Sequence, residues 1–192
     1  MITFELVKLV TPKLPFLINS AMSTIYYHTK ADNLPILNRT DLLSTDLKTL
    51  VDNEAIYYII ENGVTVGCVS LTIENKIMYV GLLSVLPEFE NRGIGTKTMD
   101  FAEDLAKVKF CEKLELDYFY SDCLEMSLKI KNWYEKLGYV EIERYSSFES
   151  GLIHDQVQQL KKKPEFYECS TSEIIKRVYR YNYDIVLLQK NL

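Results

Sequence analysis

Asn91-Arg92-Gly93-Ile94-Gly95-Thr96-Lys97 places two of the chain's seven glycines one residue apart, with an arginine on one side and a lysine on the other. An apolar run ends just before it at Pro87. Just after it, Met99, Phe101, Ala102, Leu105, Ala106 and Val108 recur with helical spacing. A strand that feeds a glycine turn into a helix leaves backbone N–H groups with no earlier carbonyl to take them. They lie at the positive end of the helix dipole, where a phosphate is a natural guest. Glycine also lets the backbone approach such an anion with no Cβ in the way. Arg92 and Lys97 offer charge and Thr96 a hydroxyl. The stretch is neither GxxxxGK[ST] nor GxGxxG, because Thr98 stands where a third glycine belongs. By pattern alone it reads either as an anion loop or as a plain turn leading into a helix.

Other reactive side chains are sparse. Cys68, Cys111, Cys123 and Cys169 form no CxxC pair and read as small core residues or free thiols. His28 and His154 are the only two histidines and lie far apart, so no metal site is expected and Cys123 has no nearby base to activate it. Glu115 and Asp117 alternate with Leu114, Leu116 and Tyr118 on a strand pattern, which turns both carboxyl groups to one face. They read equally as a charged rim or as acid–base groups.

The elements around these residues follow from periodicity and punctuation. "ITFELVKLV" reads as a strand. Thr11-Pro12 starts a helix whose face is Leu14, Ile18, Ala21, Met22 and Ile25, and "RTDLLSTDLKTLV" is a second helical stretch capped by Thr40. "EAIYYIIE", the Asn62-Gly63 turn, "VTVGCVSLTI", a polar turn and "IMYVGLLSVLP" make a three-strand antiparallel meander, closed by Pro87. "KLELDYF" is a fifth strand, "LEMSLKIKNWYEKL" a helix stopped by Gly138, "YVEIERY" a sixth strand and "YDIVLLQKNL" a seventh. Residues 147–181 do not read as sheet, and Ser170…Glu173 gives them one capping-box helix start.

The chain has 192 residues, 47% hydrophobic, with a net charge of −5. That suits a single domain over 1–192 and argues against nucleic acid or an anionic membrane as partner. No apolar run approaches a membrane span, and the N-terminal segment lacks the layout of a signal peptide, so a cytoplasmic location is expected.

The pair LSVLPEFENRGIGTK and NWYEKLGY resembles the GNAT superfamily of N-acetyltransferases, whose pyrophosphate loop is written Q/R-x-x-G-x-G/A and whose later signature is [FLW]-Y-x-K-x-G-[FY]. The resemblance covers residues 54–146, and "DIVLLQKNL" is similar to the superfamily's last strand. A weaker similarity, on "RGIGTK" and "VLLQKNL", is to the catalytic-subunit type of the NatE N-terminal acetyltransferases. The resemblance implies an α/β fold: a mixed, mostly antiparallel seven-stranded sheet flanked by helices, with 147–181 as a partly helical insertion before the last strand.

It also implies acetyl-CoA as co-substrate, with no metal. Backbone groups of Leu83, Ser84 and Val85 would meet the pantetheine and the thioester oxygen. Asn91, Arg92, Gly93, Ile94, Gly95, Thr96 and Lys97 would hold the pyrophosphate. Tyr134 would protonate the leaving thiolate, and Glu115 or Asp117 would serve as general base. Glu90 stands where the superfamily carries Gln or Arg. Ser127 stands where many members use an asparagine to touch coenzyme A. The acceptor is a primary amine, on a small molecule, a polyamine or a protein N-terminus, and a homodimer stays open. The alternative from another class is a non-catalytic acyl-CoA-binding module.

Overall fold

Seven strands hydrogen-bond in the order β1-β2-β3-β4-β5-β7-β6 in the computed structural model, which describes residues 1–20, 46–120, 125–146 and 184–192. They are β1 (Ile2–Leu6), β2 (Ile56–Glu61), β3 (Val64–Glu74), β4 (Ile77–Val85), β5 (Lys113–Tyr120), β6 (Val140–Ser146) and β7 (Asp184–Asn191). The helices of eight or more residues are α1 (Lys13–Ser20), α3 (Ile94–Val108) and α4 (Glu125–Lys136); α2 (Leu47–Asp52) is shorter. This mixed sheet with flanking helices is the expected fold. Ala21, Met22, Ile25, Thr40, Cys123, Cys169 and the 147–181 insertion lie outside the described residues.

The chain divides into two compact units, one of residues 1–28, 38–116 and 189–192, the other of 29–37 and 117–188. In the first, β1 to β4 form an antiparallel ribbon. Asn62 adopts φ +51° and Gly63 φ +83°, the left-handed pair that a tight hairpin turn demands. Side chains of β2 and β3 enter two cores, and the register shift at Ile59/Ile60, which leaves Val66 as an extra residue on β3, separates Val66 from Cys68. On one face Ile56, Cys68 and Leu82 pack with Leu14, Leu17 and Ile18 of α1. On the other, Ile59 and Val66 pack with Ile94 of α3, and Phe101 of α3 stacks on Phe4 at 4.1 Å.

The cap of α2 is Asp46, whose carboxylate accepts from the Thr49 N–H at 2.8 Å and the Thr49 hydroxyl at 2.9 Å. These bonds hold its carboxyl below the usual range. In the second unit α4 closes where the glycine was expected to stop it. Gly138 takes φ +87°, its N–H donates to Glu135, and the Tyr139 N–H donates to the carbonyl of Tyr134 at 3.1 Å. That six-to-one bond is the Schellman closure, and it fixes Tyr134 in the last turn.

Candidate active site

Pro87 cannot extend the β4 ladder, and the chain turns there through a short 3-10 segment, Pro87–Phe89. Asn91 then adopts φ +59° and Gly93 φ +76°, two left-handed residues flanking Arg92. Gly93 is the N-cap of α3 and has no side chain with which to cap it. The first intrahelical bond runs from the Lys97 N–H to the Gly93 carbonyl at 3.0 Å, so α3 begins at this turn. This is the geometry the glycine spacing predicts. A Cβ built on Gly93 would meet nothing within 4 Å, so the glycine is required there by its φ and not by crowding.

The charges beside this turn are already engaged. The Arg92 guanidinium donates to the Glu88 carbonyl at 2.7 Å, lies 4.8 Å from the Phe89 ring centre and approaches Glu61 at 3.7 Å. Lys97 lies 3.7 Å from Asp100. Arg92 thus braces the turn that its own backbone helps to form. Ile94 is buried in the core, Gly95 and Thr96 are half-buried, and Asn91 is exposed.

The strand leading into the turn carries a defect that sequence reading missed. Gly81 pairs with Ser70 and Ser84 with Cys68, so two residues of β4, Leu82 and Leu83, face the single Val69 of β3. Leu82 adopts φ +50° in this bulge, a conformation that costs a branched L-residue about 1–2 kcal/mol. Its side chain is nonetheless buried beside Cys68. Gly81, directly before Leu82, is the one local mark of the bulge, since an isolated glycine in a strand pattern suits such a defect. The bulge packs tightly: a Cβ on Gly67 would come within 2.1 Å of the Ser84 carbonyl oxygen. Of the residues assigned to the pantetheine, Ser84 is buried and Leu83 and Val85 are half-buried.

β4 and β5 run parallel, and their paired rungs are Ile77–Lys113, Met78–Leu114 and Tyr79–Glu115. The rungs stop there, although β4 continues to Val85. Glu115 sits on the last of them and is only 9% exposed, while Asp117 is exposed. The two carboxylate residues thus differ in burial. Tyr79, absent from the sequence-based site, is the partner of Glu115 across the rung. Burial, then the charges of Glu115 and Glu74, push its hydroxyl above the usual phenol range.

In the second unit Tyr134 is buried in an aromatic cluster, with ring centres 4.5 Å from Trp133, 5.9 Å from Tyr118 and 5.8 Å from Tyr139. Ser127, two turns earlier on α4, is buried as well. The Tyr118 hydroxyl is buried with no hydrogen-bond partner among the described residues, and burial pushes it up to about 12. Asp117 contributes to raising the Tyr145 hydroxyl, after burial. Arg144 donates to Glu141 at 2.8 Å and covers the Tyr120 ring at 4.6 Å.

Residues 52–141 match the family described as an acetyltransferase (GNAT) domain. No curated protein matches the sequence. Among solved structures, a GNAT family acetyltransferase from Elizabethkingia anophelis, with acetyl-CoA bound, superposes with a TM-score of 0.60 at 17% identity, covering 100% of this chain and 98% of that one. An IAA acetyltransferase from Bacillus cereus gives 0.59 at 18% identity, covering 100% of both chains. The ribosomal-protein-S18-alanine N-acetyltransferase of Escherichia coli gives 0.55 at 15%, covering 100% of this chain and 94% of that one. At these identities the structural likeness establishes the fold. Among the described residues, no helix is long and apolar enough to cross a membrane.

Proposed function

We propose that this chain, whose residues 52–141 match an acetyltransferase (GNAT) domain, is a cytosolic enzyme moving an acetyl group from acetyl-CoA to a primary amine by direct attack in a ternary complex. The observation that carries this is the left-handed Gly93 at the start of α3, which opens a helix N-terminus with no side-chain cap. Its N–H groups and dipole suit a pyrophosphate, and the open space around Gly93 lets one approach. Arg92 acts there by bracing the turn.

Three tasks then fall to this chain's residues. Backbone groups of Leu83, Ser84 and Val85, beyond the last β4–β5 rung, hold the pantetheine and supply a donor to the thioester oxygen as negative charge develops on it. Glu115 and Asp117 border the acceptor, and one of them takes the proton that the amine sheds. Tyr134 returns a proton to the departing thiolate. A phenol near pKa 10 and a thiol near 8.5 make that transfer uphill by about 2 kcal/mol, a modest demand on a positioned acid. Packing against Trp133, Tyr118 and Tyr139 supports the positioning.

The acceptor class includes small amines, polyamines and protein N-termini. The ribosomal-protein enzyme of similar fold keeps the last of these in view. A screen of such amines with acetyl-CoA, read by release of free thiol, tests the reading. Tyr134→Phe keeps the ring and is expected to preserve acetyl-CoA affinity while kcat falls by about 10²–10⁴-fold. Wild-type protein that binds acetyl-CoA tightly and transfers to no amine would instead be an acyl-CoA-binding module, a reading favoured by Glu90 and Ser127 at positions where relatives place other residues.

A further inference from the structure

The turn before α3 is anchored at both ends and exposed between them. Phe89 packs against the cluster of Ile59, Val66 and Ile94, and Ile94 is buried in it, whereas Glu90, Asn91, Arg92 and Gly93 are all exposed. Asn91 and Gly93 are left-handed, and glycine loses more freedom than any other residue when it is fixed. Of the four, Arg92 is the one whose side chain makes a hydrogen bond or ion pair among the described residues. Its guanidinium donates to the Glu88 carbonyl at 2.7 Å and lies over the Phe89 ring, contacts that stay within the turn. Only the third contact leaves it: Nη1 lies 3.7 Å from the Glu61 carboxylate.

Glu61 stands on fixed ground. It is the last residue of β2, paired with Ile2 of β1 on one side and with Val64 of β3 on the other. Its side chain is 19% exposed, against 53% for Arg92. A carboxylate carried by a strand with neighbours on both edges is suited to hold a more mobile group in place. An ion pair with one half-exposed partner adds little to stability. What it can set is the conformation of the segment that Arg92 belongs to. Because Arg92 matches its charge, Glu61 presents no net repulsion to an anion at the turn.

We propose that Glu61 is a positioning residue for acetyl-CoA: through Arg92 it ties the 90–93 turn to the β2–β3 hairpin and keeps the left-handed form in place before the ligand arrives. The assignment rests on the acetyltransferase reading for the identity of the anion. Arg92 then serves the pyrophosphate without touching it, and binding is spared the cost of ordering Gly93.

Calorimetry with acetyl-CoA at low and high salt, and hydrogen exchange over residues 86–98 of the free protein, test this on the full chain. Glu61→Gln and Arg92→Gln are each expected to weaken acetyl-CoA about threefold, and the double variant no more than the weaker single one. Exchange in the turn should quicken in all of these variants, while the urea midpoint stays at the wild-type value. Arg92→Gln should keep the wild-type salt dependence of binding, since a guanidinium on the phosphates would make the wild type the steeper of the two. Glu61→Gln that binds acetyl-CoA as tightly as wild type overturns the proposal, and so does tighter binding, which would mean that a freed Arg92 reaches the phosphates. Losses that multiply in the double variant overturn it as well. Wild-type protein that does not bind acetyl-CoA would instead count against acetyl transfer. Exchange in the free protein would still judge the brace, with unchanged rates in Glu61→Gln overturning it.

Discussion

Tyr118→Phe isolates a single buried oxygen. The ring lies 5.9 Å from that of Tyr134 and 6.4 Å from that of Tyr120, contacts that phenylalanine keeps. What is removed is a hydroxyl with no hydrogen-bond partner among the described residues. An unsatisfied buried hydroxyl costs about 1–3 kcal/mol, so the variant is expected to be more stable than wild type by about 1 kcal/mol at pH 7. The gap should widen in alkali. Burial raises the folded phenol to about 12, while the unfolded one ionises near 10. Between those values the native state holds the proton that the unfolded state has lost. The favourable contribution of the protonated phenol is complete below pH 10 and is lost as pH rises toward 12. By pH 11 wild type should have lost about 1 kcal/mol more than the variant, allowing for solvent relaxation around the ring. The other tyrosines titrate alike in both proteins and cancel. Urea unfolding followed by the fluorescence of Trp133, the chain's single tryptophan, at pH 7, 10 and 11 measures both quantities. A variant less stable than wild type at pH 7 would show that the hydroxyl is satisfied in solution. A gap that stays constant to pH 11 would refute the assignment of the raised pKa to burial.

Gly67→Ala would set a Cβ 2.1 Å from the Ser84 carbonyl oxygen, a backbone atom that moves only with the β3–β4 bulge. The variant is expected to lose about 3 kcal/mol in urea unfolding, and any folded fraction should bind acetyl-CoA more weakly. Gly93→Ala meets no atom within 4 Å, so its effect enters through the φ of +76°, with an expected loss of about 1 kcal/mol. Gly93→Asn, better suited to the left-handed region, should lose less, and thermal melts of the two variants check the order.

Much of this architecture is written locally. The Asn62-Gly63 hairpin, Pro87 at the end of β4 and the Gly138 stop after α4 each follow from what one or two residues do to the backbone, and each stands where the sequence puts it. The glycine turn was legible for the same reason, since the left-handed φ at the start of α3 favours glycine. The cap of α2 shows where local reading runs short: Asp46 takes the role because its carboxylate reaches Thr49, and several upstream Ser, Thr and Asp residues offered the same chemistry on paper. Glu115 was visible as a residue type and Tyr79 was not, because their meeting depends on the parallel register of β4 and β5. That register is set by how α3 returns the chain to the sheet, and no period-two pattern within either strand contains it.

The bulge makes the same point from the side of energetics. Leu82 and Leu83 read as ordinary strand residues, and a regular β4 would pair with β3 throughout. Instead the strand holds a buried leucine at φ +50°, at a cost that packing beside Cys68 must offset. A local preference overridden in this way calls for a gain elsewhere. The gain proposed here lies in the next three residues. Past the extra residue, Ser84 and Val85 pair again with Cys68 and Gly67 of β3, beyond the rung where pairing with β5 stops. The β5-facing side of this stretch, beyond the last rung, is the part of the strand able to serve a bound thioester. If that is its purpose, relieving the strain should be costly to function and cheap to stability. Leu82→Gly accommodates the left-handed φ but discards the buried side chain and the stiffness of the bulge. It should therefore raise the Kd for acetyl-CoA by more than its lost stability accounts for. Equal proportional losses in unfolding free energy and acetyl-CoA affinity would mean that the bulge serves packing alone.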